Sequence, residues 1–105
     1  MNHDHYMGLA LRAGEEAMAR GDWPVGSVVV LDGKVVGSGQ NRQVSLNDIT
    51  VHAETDALRS AFKFLNKTNL EGATVYTSME PCAMCAEAMR LARVESCFAS
   101  ATHSK

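Results

Sequence analysis

Apolar residues at Met7, Ala10, Leu11, Gly14, Ala17 and Met18 recur three and four positions apart, with Arg12, Glu15, Glu16 and Arg20 mostly on the opposite side. That spacing lays one stripe along a helix, so a helix is expected over residues 5–20, capped by Asp4 and ended by Gly21-Asp22. The period then changes. Val25 to Leu31 is rich in β-branched residues, and after Asp32-Gly33 the stretch Lys34 to Gly39 completes an antiparallel hairpin. Val28-Val29-Val30-Leu31 has no polar alternation, which predicts a strand covered on both faces.

Residues 40–50 carry turn-prone side chains without a period and read as a loop. A second amphipathic helix, from about His52 to Leu65, would bury Ala57, Leu58, Ala61, Phe62 and Leu65. After a connector over 66–72 come a strand over 73–78, a helix over 81–92 opened by Pro81, and a last strand over 94–100. Each late strand follows a helix, which implies right-handed crossovers and parallel pairing. The predicted class is α/β: a mixed sheet between helical layers, with an N-terminal antiparallel hairpin and parallel later strands, in the order αββαβαβ.

With 105 residues, 46% hydrophobic and 21% charged, residues 1–105 are read as one small domain. No apolar run approaches the roughly 20 residues that span a bilayer, so no membrane partner is expected. The start, Met1-Asn2-His3-Asp4-His5, lacks the basic and apolar regions of a signal peptide, and the expected compartment is the cytoplasm. A net charge of −2 and a pI near 6.0 disfavour nucleic acid. In a reducing compartment the three cysteines direct attention to metal binding or catalysis.

Two predicted helix starts hold the chemistry: His52-Ala53-Glu54 and, after twenty-six residues, Pro81-Cys82-Ala83-Met84-Cys85. Cys82 and Cys85 are three apart in a first helical turn, so both sulfurs can face one point. A helix N-terminus and a bound cation both favour the thiolate, the form that ligates metal. One imidazole from His52 and two thiolates make a borderline-soft set with a fourth position free, which suits one Zn2+ per chain. A water in that position would have its pKa lowered to roughly 7, and Glu54, at the same helix mouth as His52, could move its proton.

Taken singly, these residues have ordinary readings. A C-x-x-C pair serves equally as structural zinc site or redox pair, and a glutamate in a first turn favours the helix dipole. The ordered set of His, Glu and two Cys at paired helix starts is what points to metal chemistry. Cys97, within the last strand, reads as a small buried hydrophobe. His3, His5 and His103 read as solvated, Met84 and Met89 as core, and Trp23 as a packed loop residue.

The H-x-E…P-C-x-x-C pattern resembles the signature of zinc nucleobase deaminases. Gly21 to Val30, Gly39-Gln40-Asn41, Val51-His52-Ala53-Glu54, Tyr76 to Cys85 and Ala92-Arg93-Val94 extend the resemblance over nearly the whole chain. The sequence is similar to the cytidine deaminase-like superfamily, in the branch of tRNA adenosine deaminases, guanine deaminases and yeast-type cytosine deaminases. The resemblance implies a three-layer αβα fold, zinc on His52, Cys82 and Cys85, and Glu54 as proton shuttle. It further implies that Asn41 and the Ala53 N–H contact the substrate, with Val25 and Gly26 in the pocket wall.

Members of that branch continue through another helix, a fifth strand and often a C-terminal helix, so the resemblance implies a C-terminally short form. An open strand edge then makes a homodimer the expected assembly. The activity it implies is hydrolytic removal of an exocyclic amine from a nucleobase or nucleoside of guanine, cytosine or adenine type, with ammonia released. Two alternatives stand beside this: a tRNA adenosine-to-inosine deaminase, and a non-catalytic zinc-binding remnant or subunit. The acidic pI favours a small base or nucleoside over RNA, whose phosphates require Lys and Arg. Retention of Glu54 favours an enzyme, since a purely structural zinc site has no use for it.

Overall fold

A computed structural model describes residues 2–100. Its elements are α1 (His3–Arg20), β1 (Gly26–Leu31), β2 (Lys34–Gln40), α2 (Ala53–Leu65), β3 (Thr74–Thr77), α3 (Ala83–Leu91) and β4 (Ser96–Ala99), the expected order. The strands form one mixed sheet in the order β2-β1-β3-β4. β1 is antiparallel to both β2 and β3, and β3 is parallel to β4.

The crossover expectation therefore holds in a particular sense. β2 and β3, joined through α2, run in the same direction, but β1 lies antiparallel between them. Only the β3–β4 pair, joined through α3, is parallel and directly bonded. β1 is buried on both faces, as its unbroken valine run predicts: Val28 and Val30 pack with Ala10 of α1 and with Tyr76, while Val29 packs with Ala57, Ala61, Val75, Cys85 and Met89. The layers are α1, the sheet, then α2 with α3.

Several boundaries and environments differ from expectation. Asn2, not Asp4, caps α1, because its side-chain oxygen accepts from the His5 amide at 3.0 Å. Leu11 and Met18 are exposed, and the buried stripe is Ala10, Gly14 and Ala17. Small residues are required there because α1 lies against the chain entering β1: a Cβ on Gly26 would overlap the Ala10 carbonyl and the Gly14 amide.

α3 begins at Ala83, with Cys82 in extended conformation as its N-cap, so Pro81 lies outside the helix. β4 starts late because the Val94 amide bonds the Met89 carbonyl and closes α3. Cys97 is exposed on this edge strand, contrary to its reading as a buried hydrophobe. Met89 is core but Met84 is exposed. His3 is exposed yet engaged, with Nδ1 at 2.6 Å from the Tyr76 hydroxyl and its ring 4.5 Å from that of Phe98. His103 lies outside the described residues.

Candidate metal centre and cleft

α2 and α3 both start at the same end of the sheet, and each N-cap is a candidate ligand. His52 has extended backbone, and its amide donates to Thr55 Oγ1 at 3.0 Å. The backbone is thus held by Thr55, and the imidazole turns toward α3. Cys82 is the N-cap of α3 and Cys85 its third residue, neighbours three apart on one helical turn. His52 Nδ1 lies 3.5 Å from Cys82 Sγ and 3.4 Å from Cys85 Sγ, and the three ligand atoms fall within 4.8 Å of one another.

This donor set fits zinc. Tetrahedral bonds of about 2.0 Å to nitrogen and 2.3 Å to sulfur place those two atoms about 3.5 Å apart, as they are here. Cys85 is buried, and burial first, then Glu54 and Cys82, push its thiol above the ordinary range. A metal must therefore displace a proton from it.

Glu54 follows in the first turn of α2, at 4% exposure. Its Oε1 accepts from Cys85 Sγ at 3.7 Å and its Oε2 from the Thr77 hydroxyl at 3.2 Å. The carboxylate stands beside the ligand triad and outside it.

A cleft of about 160 Å³ opens over these groups, lined by Trp23, Pro24, Val25, Asn41, Gln43, His52, Glu54, Met79, Glu80 and Cys82. Val25 and Asn41 both line this cleft. Gly26 and Ala53 lie outside the lining: Gly26 pairs with Ser78, and Ala53 is fully buried. A larger hollow of about 380 Å³ between α2 and α3 is lined by no histidine, cysteine or carboxylate, so chemistry selects the smaller cleft.

Asn41 is buried and fixed by Gln43, donating from Nδ2 to Gln43 Oε1 at 2.7 Å and accepting the Gln43 amide on Oδ1 at 3.0 Å. One N–H and one lone pair of the amide remain for another partner. Trp23 is 61% exposed in the cleft wall, which corrects its reading as a packed residue. Sequence reasoning missed Gln43, Thr77, Met79 and Glu80. Gln43 left only a local trace, two residues after an asparagine in a turn-prone segment, while Thr77, Met79 and Glu80 fell within the Tyr76–Cys85 stretch of the resemblance without a role of their own.

Residues 1–101 match the model of the cytidine and deoxycytidylate deaminase zinc-binding region. The chain belongs to this family. It is 42% identical over 101 residues to a tRNA-specific adenosine deaminase of Agrobacterium fabrum, covering 96% of this chain and 66% of the relative. A guanine deaminase of Bacillus subtilis is 39% identical over 105 residues, covering 99% and 67%. A solved structure from a study of A-to-I editing by tRNA:A34 deaminases superposes with a TM-score of 0.93 at 40% identity, covering 97% of this chain and 78% of that one. The chain thus spans about two thirds of the length of these curated relatives. Family, α/β fold and a zinc-binding type of site agree with expectation. Among the described residues no helix is long and apolar enough to cross a membrane.

Proposed function

We propose that this protein is a zinc-dependent hydrolytic deaminase acting on a nucleobase-type ring, exchanging an exocyclic amine for a carbonyl and releasing ammonia. The observation that carries this reading is the position of Glu54: a buried carboxylate, outside the His52–Cys82–Cys85 triad, with one oxygen directed at it. A structural zinc site needs no such group. His52, Cys82 and Cys85 would hold the zinc, which when bound supplies acidity to a water molecule.

Glu54 takes one proton from the attacking water and passes it to the ring nitrogen, then carries the second, from the hydroxyl now on the ring carbon, to the departing amine. The amine leaves as ammonia and the water oxygen becomes the carbonyl. Asn41, with its free N–H and lone pair, reads a ring edge, and Val25 and Trp23 bound the space in which the ring lies. The small, largely apolar cleft and the acidic chain favour a free base or nucleoside. A second reading, a tRNA substrate, is supported by the relatives at 42% and 36% identity, both tRNA-specific adenosine deaminases.

Ammonia release by zinc-loaded protein is measured on guanine, cytosine, cytidine, adenosine and an anticodon-stem RNA, with E54A as the blank. Release above the blank on one of the small substrates supports the first reading. Release on RNA alone, rising steeply as salt is lowered, selects the second. Equal release by wild type and E54A removes both.

A further inference from the structure

β3 ends at Thr77, a fully buried residue directly beneath the cleft. The single proton of its hydroxyl is shared between Oε2 of Glu54, at 3.2 Å, and the main-chain oxygen of Met79, which lines the cleft, at 3.0 Å. Among the described residues, the other hydrogen-bond contact of the Glu54 carboxylate is the long one from Cys85 to Oε1. A thiol is a weak donor. The hydroxyl of a β-branched residue on a central strand is stronger and stiffer, because its χ1 is restricted and its backbone is held on both sides by β1 and β4.

We infer that Thr77 is a positioning residue for Glu54: its hydroxyl anchors Oε2, so that Oε1 is the oxygen presented to the ligand triad. The inference rests on the reading of Glu54 as the proton-moving group. It goes beyond that reading by explaining why a hydroxyl stands at a site where valine would fill the same volume. Thr and Val differ in a core chiefly through that hydroxyl. A glutamate side chain has three torsions, and without an anchor it samples geometries in which the proton acceptor is displaced; a displacement of about 1 Å can cost about a hundredfold in rate.

The structure also supplies a control. Ser27 of β1 is the register partner of Thr77, so its side chain stands on the same face of the sheet. It is equally buried, but its Oγ has no hydrogen-bond partner among the described residues. Polarity of the floor and a specific bond to Glu54 can therefore be separated by changing one hydroxyl at a time.

Zinc-loaded wild type, T77V, T77S, S27A and E54A are compared in kcat and KM on whichever panel substrate the wild type turns over. Zinc content is measured alongside, with the carbon-NMR spectrum of protein labelled at the glutamate side-chain carboxyl. The T77V variant is expected to keep its zinc and to hold KM within about twofold while losing about ten- to a hundredfold in kcat; T77S restores kcat to within about threefold. The Glu54 carboxyl signal, assigned by its absence from E54A, shifts in T77V and returns in T77S. S27A moves neither kcat nor that signal.

An unmoved Glu54 signal in T77V overturns the proposal, as does wild-type kcat in T77V beside an inactive E54A. Wild-type turnover by E54A instead overturns the underlying reading of Glu54. If T77V fails to fold, T77A gives the same comparison without a branched side chain.

Discussion

Cys82 and Cys85 occupy the N-cap and third positions of α3, and His52 the N-cap of α2. These residues were legible in the sequence because their types and local spacings by themselves put the donor atoms at helix mouths. Thr77, Gln43 and Met79 were not, because their nearness to Glu54 or Asn41 depends on strand register and loop path. The distinction between ligand and proton carrier gives a residue-level prediction. E54A retains stoichiometric zinc and loses about 10²- to 10⁴-fold in turnover, the usual contribution of a positioned acid–base group. C82S and C85S lose more metal affinity than the roughly 10- to 100-fold that removal of a supporting residue costs. Metal analysis after dialysis, beside ammonia release, checks both; zinc retained in both serine variants would mean that the ligand set is wrong.

Among the elements, the loop between β2 and α2 carries Asn41 and Gln43 into the cleft wall, and its hold is Asp22 at the end of α1. This carboxylate, 5% exposed, accepts from the Val44 amide at 2.9 Å, the Ser45 amide at 2.8 Å, the Ser45 hydroxyl at 2.7 Å and Arg20 Nε at 2.7 Å. Arg20 also donates to Gln40 Oε1 and to the Asn41 carbonyl. Burial opposes ionisation of Asp22, but the hydrogen bonds from Ser45, Arg20 and Val44 outweigh it and hold the carboxyl well below the usual range. A folded pKa below the unfolded value of about 3.9 means that the stabilisation is fully present above that value and declines as pH falls through it toward the folded pKa. D22N is therefore expected to have a lower urea midpoint than wild type at pH 7, with the gap closing below about pH 4. A gap constant from neutral to acid conditions would refute the assignment. None of this was visible in residues 40–50, which read only as polar loop, whereas the hairpin and α2 were predicted to within about two residues by period and turn chemistry.

At the scale of the molecule, the triad joins two helices that the core holds unequally. α2 lies along the sheet through Ala57, Leu58 and Ala61, while nine-residue α3 contributes Cys85 and Met89 to the same core. A helix of that length is unstable by itself and depends on its packing, so a metal shared between His52 and the two cysteines ties α3 to the better-held element. The sequence showed both helix starts, and their donor types pointed to one shared metal, but not the strand order β2-β1-β3-β4 that the two helices pack against. A ligand present at a thousand times its dissociation constant adds about 4 kcal/mol to stability, and each kcal/mol moves the Tm of a domain this size by about 4–8 °C. Removing zinc with a chelator is therefore expected to lower Tm by about 15 °C or more in wild type. The shift should be as large in E54A, which keeps every ligand, and small in C85S, which starts from the destabilised state. Because E54A is inactive under the reading above, an equal shift there shows support of the fold by the metal independently of turnover. A shift of only a few degrees in wild type would instead mean that α3 is held by Cys85 and Met89 packing alone and that the metal serves only the chemistry.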